Sequence, residues 1–307
     1  MPPTPHARAV NRVIDYITGH LDQPLTLDEL ASVAHMSPYH FHRTFTAEFG
    51  ETPMKYLTRR RIEIAGHRLL QDRDQPVSNI AYMLGFSSMP VFCRTFKRHF
   101  GMTAEEFRHK NGEQQSKNGQ SFGKTGQMPA THFSYLCSRQ TIQTKGGKIM
   151  DCTFELRNQP EMKVIYARHK GEFHTIGEAF ERLMQWSGPR GLLGPAMQTL
   201  AVYHDDPEVT SDENLLVSDA CLVVPGEVKT EGDIGSYTIT GGKYAVGRFE
   251  IGMNEFEQAW TSMCRLVAEN GLKTAEGRHF YEMYLNDPQQ HPEHKFIVDI
   301  CIPVTPA

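Results

Sequence analysis

Two short stretches of this sequence carry side chains suited to hydrogen bonding with base edges and to pairing with phosphates. Residues 37–50 read Ser-Pro-Tyr-His-Phe-His-Arg-Thr-Phe-Thr-Ala-Glu-Phe-Gly, residues 88–101 read Ser-Met-Pro-Val-Phe-Cys-Arg-Thr-Phe-Lys-Arg-His-Phe-Gly, and seven of the fourteen positions are identical. In each stretch a phenylalanine recurs every fourth residue, which predicts a helix with a buried aromatic face. The outward face is then Tyr39, His42, Arg43 and Thr46 in the first stretch, and Pro90, Cys93, Arg94 and Lys97 in the second. A helix of this kind suits the major groove of DNA, although a single copy would also fit an ordinary surface helix with solvated charges.

A short helix is predicted immediately before each of these stretches. Thr26 and Glu29 have the spacing of a capping box, which predicts that a helix begins there. Ser37, which a proline follows, is a typical N-cap for the next helix, so only a short turn separates the two. The second stretch is preceded by Ile80-Ala-Tyr-Met-Leu-Gly-Phe-Ser-Ser, in which Gly85 is a suitable turn residue. Helix, short turn and helix form a helix-turn-helix unit, and the sequence contains it twice.

A further helix is predicted between the two units. Ile62, Ala65 and Leu69 share one side of residues 56–70, so this segment is expected to join the units rigidly. The same helix carries Arg59, Arg60 and Arg61. Such a run either lies along phosphates or is a solvated basic surface.

These residues together resemble the DNA-binding domain of AraC/XylS-type transcription regulators. The resemblance extends from about residue 10 to 108 and implies seven helices, with two recognition helices in adjacent major-groove segments of one DNA face. It implies that Tyr39, His42 and Arg43 face bases, and that Met89, Pro90, Cys93 and Arg94 occupy the matching places of the second unit. Pro90 and Cys93 depart from the usual family pattern, and a thiol is a weak hydrogen-bonding group. The second unit is therefore expected to depend on Arg94 and on backbone contacts from Lys97 and Arg98.

Charge is distributed unevenly along the 307 residues. Residues 1–150 contain 19 Lys and Arg against 12 Asp and Glu, a balance of plus seven, whereas residues 151–307 contain 13 against 24, a balance of minus eleven. Only the front half is therefore expected to meet phosphates. The six cysteines are widely scattered, no histidine pair has zinc-site spacing, and no run of about 18 apolar residues occurs. We expect a cytoplasmic protein that has no metal site, cofactor, disulfide framework or membrane span.

A polar, glycine-rich segment follows residue 110 and predicts a flexible tether. The expected boundaries are 8–110 for the all-α domain, 111–149 for the linker and 150–304 for the rear domain. The rear domain shows the order strand, strand, helix, strand, strand twice, which predicts an α+β domain with pseudo-twofold symmetry. Predicted strands are 153–156, 163–169, 200–204, 216–224, 235–240, 243–250, 279–285 and 295–303, with helices at 175–186 and 253–269. A cleft is expected between the two halves.

The rear domain resembles the GyrI-like effector-binding domains found in some AraC-type and MerR-type regulators. The resemblance is carried by His279-Phe-Tyr-Glu-Met-Tyr-Leu-Asn-Asp-Pro, by Ile297-Val-Asp-Ile-Cys-Ile-Pro-Val and by Gly242-Lys-Tyr-Ala-Val-Gly-Arg-Phe. It implies that Glu282, on the penultimate strand, meets cationic or polar ligands. Phe280 and Tyr284 share its strand face and could provide aromatic walls for a lipophilic cation. Trp186, Trp260 and Tyr166 are further candidates, although such residues are often simply part of a core, and Glu282 could equally be a structural carboxylate.

The sequence thus predicts a multidomain transcription regulator, not an enzyme. It would bind double-stranded DNA through the front domain and a small-molecule effector through the rear domain, and RNA polymerase is an expected partner. Two alternatives stay open for the rear domain. It could be a hydrolase that uses Glu282 as a general acid or base, or a protein-binding module with an empty cleft.

Overall fold

The computed structural model of the protein describes residues 6–71, 74–113, 149–194, 197–205, 213–275 and 277–306. The chain divides into a helical unit, residues 9–129, and a sheet unit, which comprises residues 130–307 together with 1–8. Most of the predicted linker, 111–149, lies outside the described residues.

Helices account for the regular structure of the N-terminal region, in the order that the sequence predicts. They are α1 (Ala7–Gly19), α2 (Leu27–Ala34), α3 (Pro38–Phe49), α4 (Pro53–Gln71), α5 (Val77–Met83), α6 (Met89–Phe100) and α7 (Ala104–Glu113). The predicted capping box between Thr26 and Glu29 is confirmed, and the Ser37 side chain accepts a hydrogen bond from the backbone N–H of His40. Gly85 has the positive φ expected of a turn residue.

Each helix-turn-helix unit buries its phenylalanines against the connecting helix α4. Phe45 and Phe49 of α3 contact Tyr56, near the start of α4, with ring centroids 5.7 and 5.8 Å away. Phe92 and Phe96 of α6 belong to a second core that includes residues from the C-terminal part of α4. The predicted aromatic inner faces are therefore confirmed, and α4 is shared by both units.

The sheet unit contains one antiparallel sheet of nine described strands. They are β1 (Thr153–Gln159), β2 (Met162–Lys170), β3 (Thr199–Tyr203), β4 (Val217–Val223), β5 (Ile234–Ile239), β6 (Gly242–Ile251), β7 (Leu272–Thr274), β8 (Phe280–Tyr284) and β9 (Phe296–Pro306). The longer helices of this unit are α8 (Gly177–Ser187) and α9 (Phe256–Glu269). All the predicted strands and both predicted helices are confirmed to within a few residues, and the short strand β7 was not predicted.

The order of the strands reveals the duplication directly. It runs β1-β6-β9-β8-β3-β4-β2-β5, with β7 paired to β9. If β1 to β4 are matched to β5, β6, β8 and β9, this order reads the same from either end, so the pseudo-twofold axis passes between β8 and β3. Two ion pairs repeat at an offset of 80 residues: Arg168 faces Asp219 across β2 and β4, and Arg248 faces Asp299 across β6 and β9.

The two faces of the sheet bury different groups. One face packs against α8 and α9 and includes Ala201, Phe249 and Ile300. The other face joins Tyr166 of β2, Ile239 of β5 and Tyr281 of β8 in a single buried cluster, to which both copies of the repeat contribute.

Membrane-spanning helices and disulfides are both absent from the described ranges of the chain. Within those ranges no helix has both the length and the apolar character needed to cross a membrane. None of the five cysteines found there forms a disulfide.

Candidate DNA interface and candidate ligand site

The outward face of α3 presents an aromatic and basic pair near the N-terminal end of the helix. Tyr39 is 73% exposed, and the guanidinium carbon of Arg43 lies 5.7 Å from the centre of its ring. Nη1 of Arg43 donates a long hydrogen bond of 3.5 Å to the Tyr39 hydroxyl. His42 is half-buried, and its carbonyl accepts a 2.7 Å hydrogen bond from the Thr46 hydroxyl. The predicted residues therefore share one face of α3, with Tyr39 and Arg43 outermost.

The outward face of α6 is basic at its C-terminal end. Pro90, Cys93, Arg94, Lys97 and Arg98 are all exposed, as the helical phase predicts. Positive charge in the last turn also complements the helix dipole.

Met89 differs from the other residues predicted on this face. It is half-buried and packs against the core that contains Phe92 and Phe96. This packing makes the Met89 side chain less accessible to a DNA base than its exposed neighbours on α6.

Arg59 and Arg60 of α4, which were predicted to contact phosphates, form ion pairs within the helical unit. The side chain of Arg59 donates to Glu51 and to Glu63 at 2.8 Å, and Arg60 donates to Glu63 at 2.8 Å. The side chains of Arg59 and Arg60 are only 11% and 10% exposed. Both charges are already balanced within the unit, so the geometry argues against the predicted contacts with phosphates.

Arg61 is directed towards backbone carbonyls rather than outward. Its Nε donates to the carbonyl of Leu21 at 2.9 Å, and its other nitrogens donate to the carbonyls of Gln23 and Gly85. The side chain is buried, and the expectation that it lies along phosphates is wrong.

In the sheet unit, Glu282 lies at the junction of the two repeated halves. It is on β8, which pairs directly with β3 of the other half. The Trp260 indole of α9 donates to Oε1 at 2.5 Å, and the Tyr284 hydroxyl donates to Oε2 at 2.7 Å. Tyr203, at the end of β3, also interacts with this carboxylate. Glu282 is only 2% exposed, so the carboxylate is enclosed by aromatic hydrogen-bond donors.

The electrostatics of this group follow from its burial. Burial raises the pKa of Glu282 above its ordinary value, and this effect outweighs the hydrogen bonds from Trp260, Tyr284 and Tyr203, which act in the opposite direction. Burial, followed by the proximity of Glu282, raises the pKa values of Tyr203 and Tyr284 well above 10. Both tyrosines therefore keep their protons at physiological pH and act as donors.

Further aromatic rings surround the Glu282 group. The Tyr284 ring lies 5.7 Å from Phe180 of α8, 6.5 Å from Phe256 of α9 and 5.9 Å from Phe296 of β9. Phe280 is half-buried and packs against the same core. Both halves of the repeat thus contribute to one aromatic site at their junction, where the sequence predicted a cleft, and its central carboxylate is buried.

Two further residues predicted to bind the ligand, Trp186 and Tyr166, have other partners in the structure. Trp186 packs in the core beneath α8, and the Arg190 guanidinium lies 4.0 Å from the centre of its ring. Tyr166 is on the opposite face of the sheet, next to Tyr237, with ring centroids 5.0 Å apart. Tyr166 is not part of the Glu282 group, because it lies on the opposite face of the sheet. Trp186 packs against the same core as Tyr203 and Tyr284, but the side chains that hydrogen-bond to the Glu282 carboxylate are Trp260, Tyr284 and Tyr203. Tyr203 also contacts Glu282 and was not among the main ligand-site residues predicted from the sequence; it ends β3 as Tyr284 ends the equivalent strand β8.

The opposite face of the sheet holds a buried ion pair near Tyr166. Arg168 binds Asp219 through two hydrogen bonds of 2.8 and 2.9 Å, and Nε2 of His204 lies 2.6 Å from the same carboxylate. Burial alone would raise the pKa of Asp219, but the charges of Arg168 and His204 lower it below its ordinary value. The equivalent Asp299 is paired with Arg248 and Arg157, whose side chains are 48% and 36% exposed. Among the described side chains, no three His, Cys, Asp or Glu residues converge as a metal site requires.

Comparison with known proteins assigns a family to each unit. The family of GyrI-like small molecule binding domains matches residues 153–305, and a helix-turn-helix domain family matches residues 30–110. The regulatory protein SoxS of Salmonella typhimurium is 31% identical over 105 residues, which cover 34% of this chain and 97% of SoxS. DNA gyrase inhibitor 2 of Dickeya dadantii is 37% identical over 132 residues, which cover 42% of this chain and 82% of that protein.

Two other similar proteins match less closely: one over a smaller share of its own length, and the other at a lower sequence identity. The bifunctional transcriptional activator and DNA repair enzyme AdaA of Bacillus subtilis is 33% identical over 115 residues, and the match spans about half of AdaA, 54%. The crystal structure of the EcmrR C-terminal domain is 18% identical, covers 52% of this chain and all of that chain, and superposes with a TM-score of 0.43.

The chain combines an AraC-type helix-turn-helix domain with a GyrI-like small-molecule-binding domain, and it belongs to the AraC family of transcription regulators.

Proposed function

We propose that this protein binds specific promoter sequences through α3 and α6, and that a small molecule bound at the Glu282 site changes its transcriptional output. The proposal of DNA binding rests on the exposed surface that α3 and α6 repeat. Each unit buries its phenylalanines and leaves an arginine exposed at the same helical position, Arg43 in α3 and Arg94 in α6. Arginine is the side chain that most often reads guanine in the major groove.

The two recognition helices are proposed to divide the work of binding. Tyr39, His42, Arg43 and Thr46 provide hydrogen-bonding groups for base edges on α3. On α6, Pro90 and Cys93 offer little hydrogen bonding, so Arg94 is the main base-reading group. Lys97 and Arg98 then supply contacts with phosphates, which fix position but carry no sequence information.

The effector proposal rests on the enclosed Glu282 carboxylate. A cationic or polar ligand could replace the Trp260 and Tyr284 hydrogen bonds with its own, and the surrounding rings would contact its apolar part. Because the site is closed, the ligand must separate these donors as it enters. A ligand that binds only the opened form shifts the population towards that form, and this is the proposed origin of the response.

Binding without turnover is the proposed role of the sheet unit. The relatives are mainly named as transcription regulators, and the groups next to Glu282 already act as donors to it. As a regulator at a promoter, the protein would act on RNA polymerase, and double-stranded DNA and a small effector are its other proposed partners.

Selection from a random-sequence DNA pool tests the DNA-binding role. The full-length chain is expected to enrich one asymmetric sequence with two recognised segments about one helical turn apart. A pool that stays random after several rounds would contradict this role.

A thermal-shift screen with amphipathic cations tests the effector role. We expect at least one compound to raise the melting temperature of the wild-type chain but not of Glu282→Gln. Glu181→Gln is the matched control, because Glu181 is an exposed carboxylate on α8 of the same unit. Equal shifts in wild type and Glu282→Gln would show that Glu282 is not the ligand site.

A further inference from the structure

Arg61 occupies the point of α4 where the helix passes from one DNA-binding unit to the other. Tyr56, before it, packs against the phenylalanines of α3. Ile62, after it, belongs to the core that α5 and α6 share. The separation and orientation of the two helix-turn-helix units therefore depend on this part of α4.

The guanidinium of Arg61 is bonded to both units at once. Two of its acceptors, the carbonyls of Leu21 and Gln23, lie in the chain between α1 and α2 of the first unit. The third acceptor, the carbonyl of Gly85 at 3.2 Å, is in the turn between α5 and α6 of the second unit. A planar guanidinium with five N–H donors can bridge three carbonyls in this way, whereas a lysine ammonium on a flexible stem cannot hold the same geometry.

In the turn between α5 and α6, Gly85 leaves the space that the Arg61 guanidinium occupies. Gly85 has φ +71°, and a Cβ added to it would lie 2.6 Å from Nη2 of Arg61. The corresponding turn residue of the first unit is His35, which adopts φ 55° with a side chain present. A positive φ alone therefore does not require glycine in this turn, and the close approach of Arg61 supplies the additional reason.

From these contacts we infer that Arg61 is a positioning residue that fixes the separation of the two recognition helices, and so sets the spacing of the two DNA segments that the protein accepts. This inference rests on the proposed DNA-binding function. We do not expect Arg61 to contact DNA, because its side chain is buried, donates hydrogen bonds to backbone carbonyls and interacts with the charge of Asp22.

The test uses the full-length chain and the DNA sequence that the wild type selects. Affinity is measured by fluorescence anisotropy for the selected DNA, for variants with one, two or five base pairs inserted between the segments, and for DNA that keeps a single segment. For the wild type we expect one inserted pair to weaken binding at least about tenfold, since a rigid protein cannot follow the rotated segment. We call the affinity for the selected DNA divided by the affinity for DNA with one inserted pair the spacing ratio. For Arg61→Gln the spacing ratio is expected to fall below about threefold, and the affinity for DNA with a single segment should change less than about threefold.

The control is Arg98→Gln, which removes the same charge from an exposed position on α6. It is expected to weaken binding to every DNA alike and to leave the spacing ratio at the wild-type value. Gly85→Ala is the second test variant, since its methyl group would displace the Arg61 guanidinium, and it should reduce the spacing ratio in the same way. An Arg61→Gln variant that keeps the wild-type ratio overturns the inference.

Folding of the variants is checked by far-ultraviolet circular dichroism. If Arg61→Gln loses its helical signal, Arg61→Lys and Gly85→Ala replace it, and a folded variant with the wild-type spacing ratio overturns the inference. If these variants also fail to fold, Arg61 is a folding residue and the inference is likewise overturned. A wild-type chain that selects no DNA sequence at all would instead contradict the proposed DNA-binding function. Failure of the proposed function can therefore be distinguished from failure of the inference about Arg61.

Discussion

The helical unit and the sheet unit are both built from an internal repeat, but the copies share different kinds of residue. In the helical unit the copies share the buried phenylalanines and one exposed arginine, Arg43 or Arg94. In the sheet unit they share a buried aspartate paired with an arginine across neighbouring strands, Asp219 or Asp299. What the copies share is mainly structural, with the exposed arginine as the exception.

The residues at which the copies differ carry the proposed functions. Cys93 stands where the first DNA-binding unit has His42, so only one recognition helix has a strong hydrogen-bonding group at that position. In the sheet unit, Glu282 faces Ala201 directly across the β3–β8 pair, and these two positions are equivalent in the repeat. Only one half therefore provides a carboxylate to the central site.

The largest expected effect concerns the stability of the two buried aspartates. Asp219→Asn leaves the buried Arg168 without its counter-charge, so we expect a loss of about 3–5 kcal/mol in the free energy of unfolding. Asp299→Asn should cost less, about 1–3 kcal/mol, because Arg248 and Arg157 reach water. Urea unfolding followed by tryptophan fluorescence measures both losses, since Trp186 and Trp260 are the only tryptophans and both lie in the sheet unit. Equal losses would contradict the difference drawn between the copies.

The next effect concerns base recognition by the first unit. Arg43→Ala should weaken binding to the selected DNA by about 1–3 kcal/mol and relax the choice of base at one position. Comparing the sequence enriched by the variant with that enriched by the wild type measures this change. If the variant binds less tightly but enriches the same sequence, Arg43 contacts phosphates rather than bases.

A pH-dependent effect is expected from Glu282. Its raised pKa means that the folded protein holds this proton more tightly than the unfolded chain does. Wild-type stability should therefore fall, relative to Glu282→Gln, as the pH rises above about 4.5 and through the raised pKa of Glu282. Melting temperatures of both proteins between pH 4.5 and pH 8 would show this as a changing gap. A constant gap, or a wild type that gains on the variant as the pH rises, would contradict the account.

The smallest expected effect concerns the phosphate contacts of the second unit. Lys97→Ala should weaken binding to all DNA sequences alike and reduce the slope of log affinity against log salt by about 0.9, the value for one lost phosphate contact. Titrations at several salt concentrations measure the slope, and base preference should stay unchanged. A narrower loss, confined to some sequences, would place Lys97 among the base-reading residues.

Local patterns made most of the fold predictable from the sequence. Alternating and four-residue periodicities identified the helices and the longer strands, and the capping box at Thr26 fixed the start of α2. The strand β7 was missed because three residues leave no periodicity to detect. The pairing of Arg59 and Arg60 with Glu63 was readable in principle, since the spacings are i,i+4 and i,i+3.

Contacts between distant residues could not be predicted. The partners of Arg61 are carbonyls 24 to 40 residues away, and a carbonyl carries no sequence signal. The site around Glu282 was predicted only in part, because Trp260 and Tyr284 contact the carboxylate whereas Tyr166 lies on the opposite face of the sheet. Placing Tyr166 relative to Glu282 requires the strand order and register, which depend on contacts far apart in the chain.

Methylation interference on the selected DNA tests the central claim most directly, because methyl groups on guanine N7 block access to the major groove. The account predicts two interfering segments on one face of the duplex, with centres about 10 base pairs apart. Arg43→Ala should abolish interference in one segment and Arg94→Ala in the other. A single segment, or two segments on opposite faces of the duplex, would contradict simultaneous binding by α3 and α6.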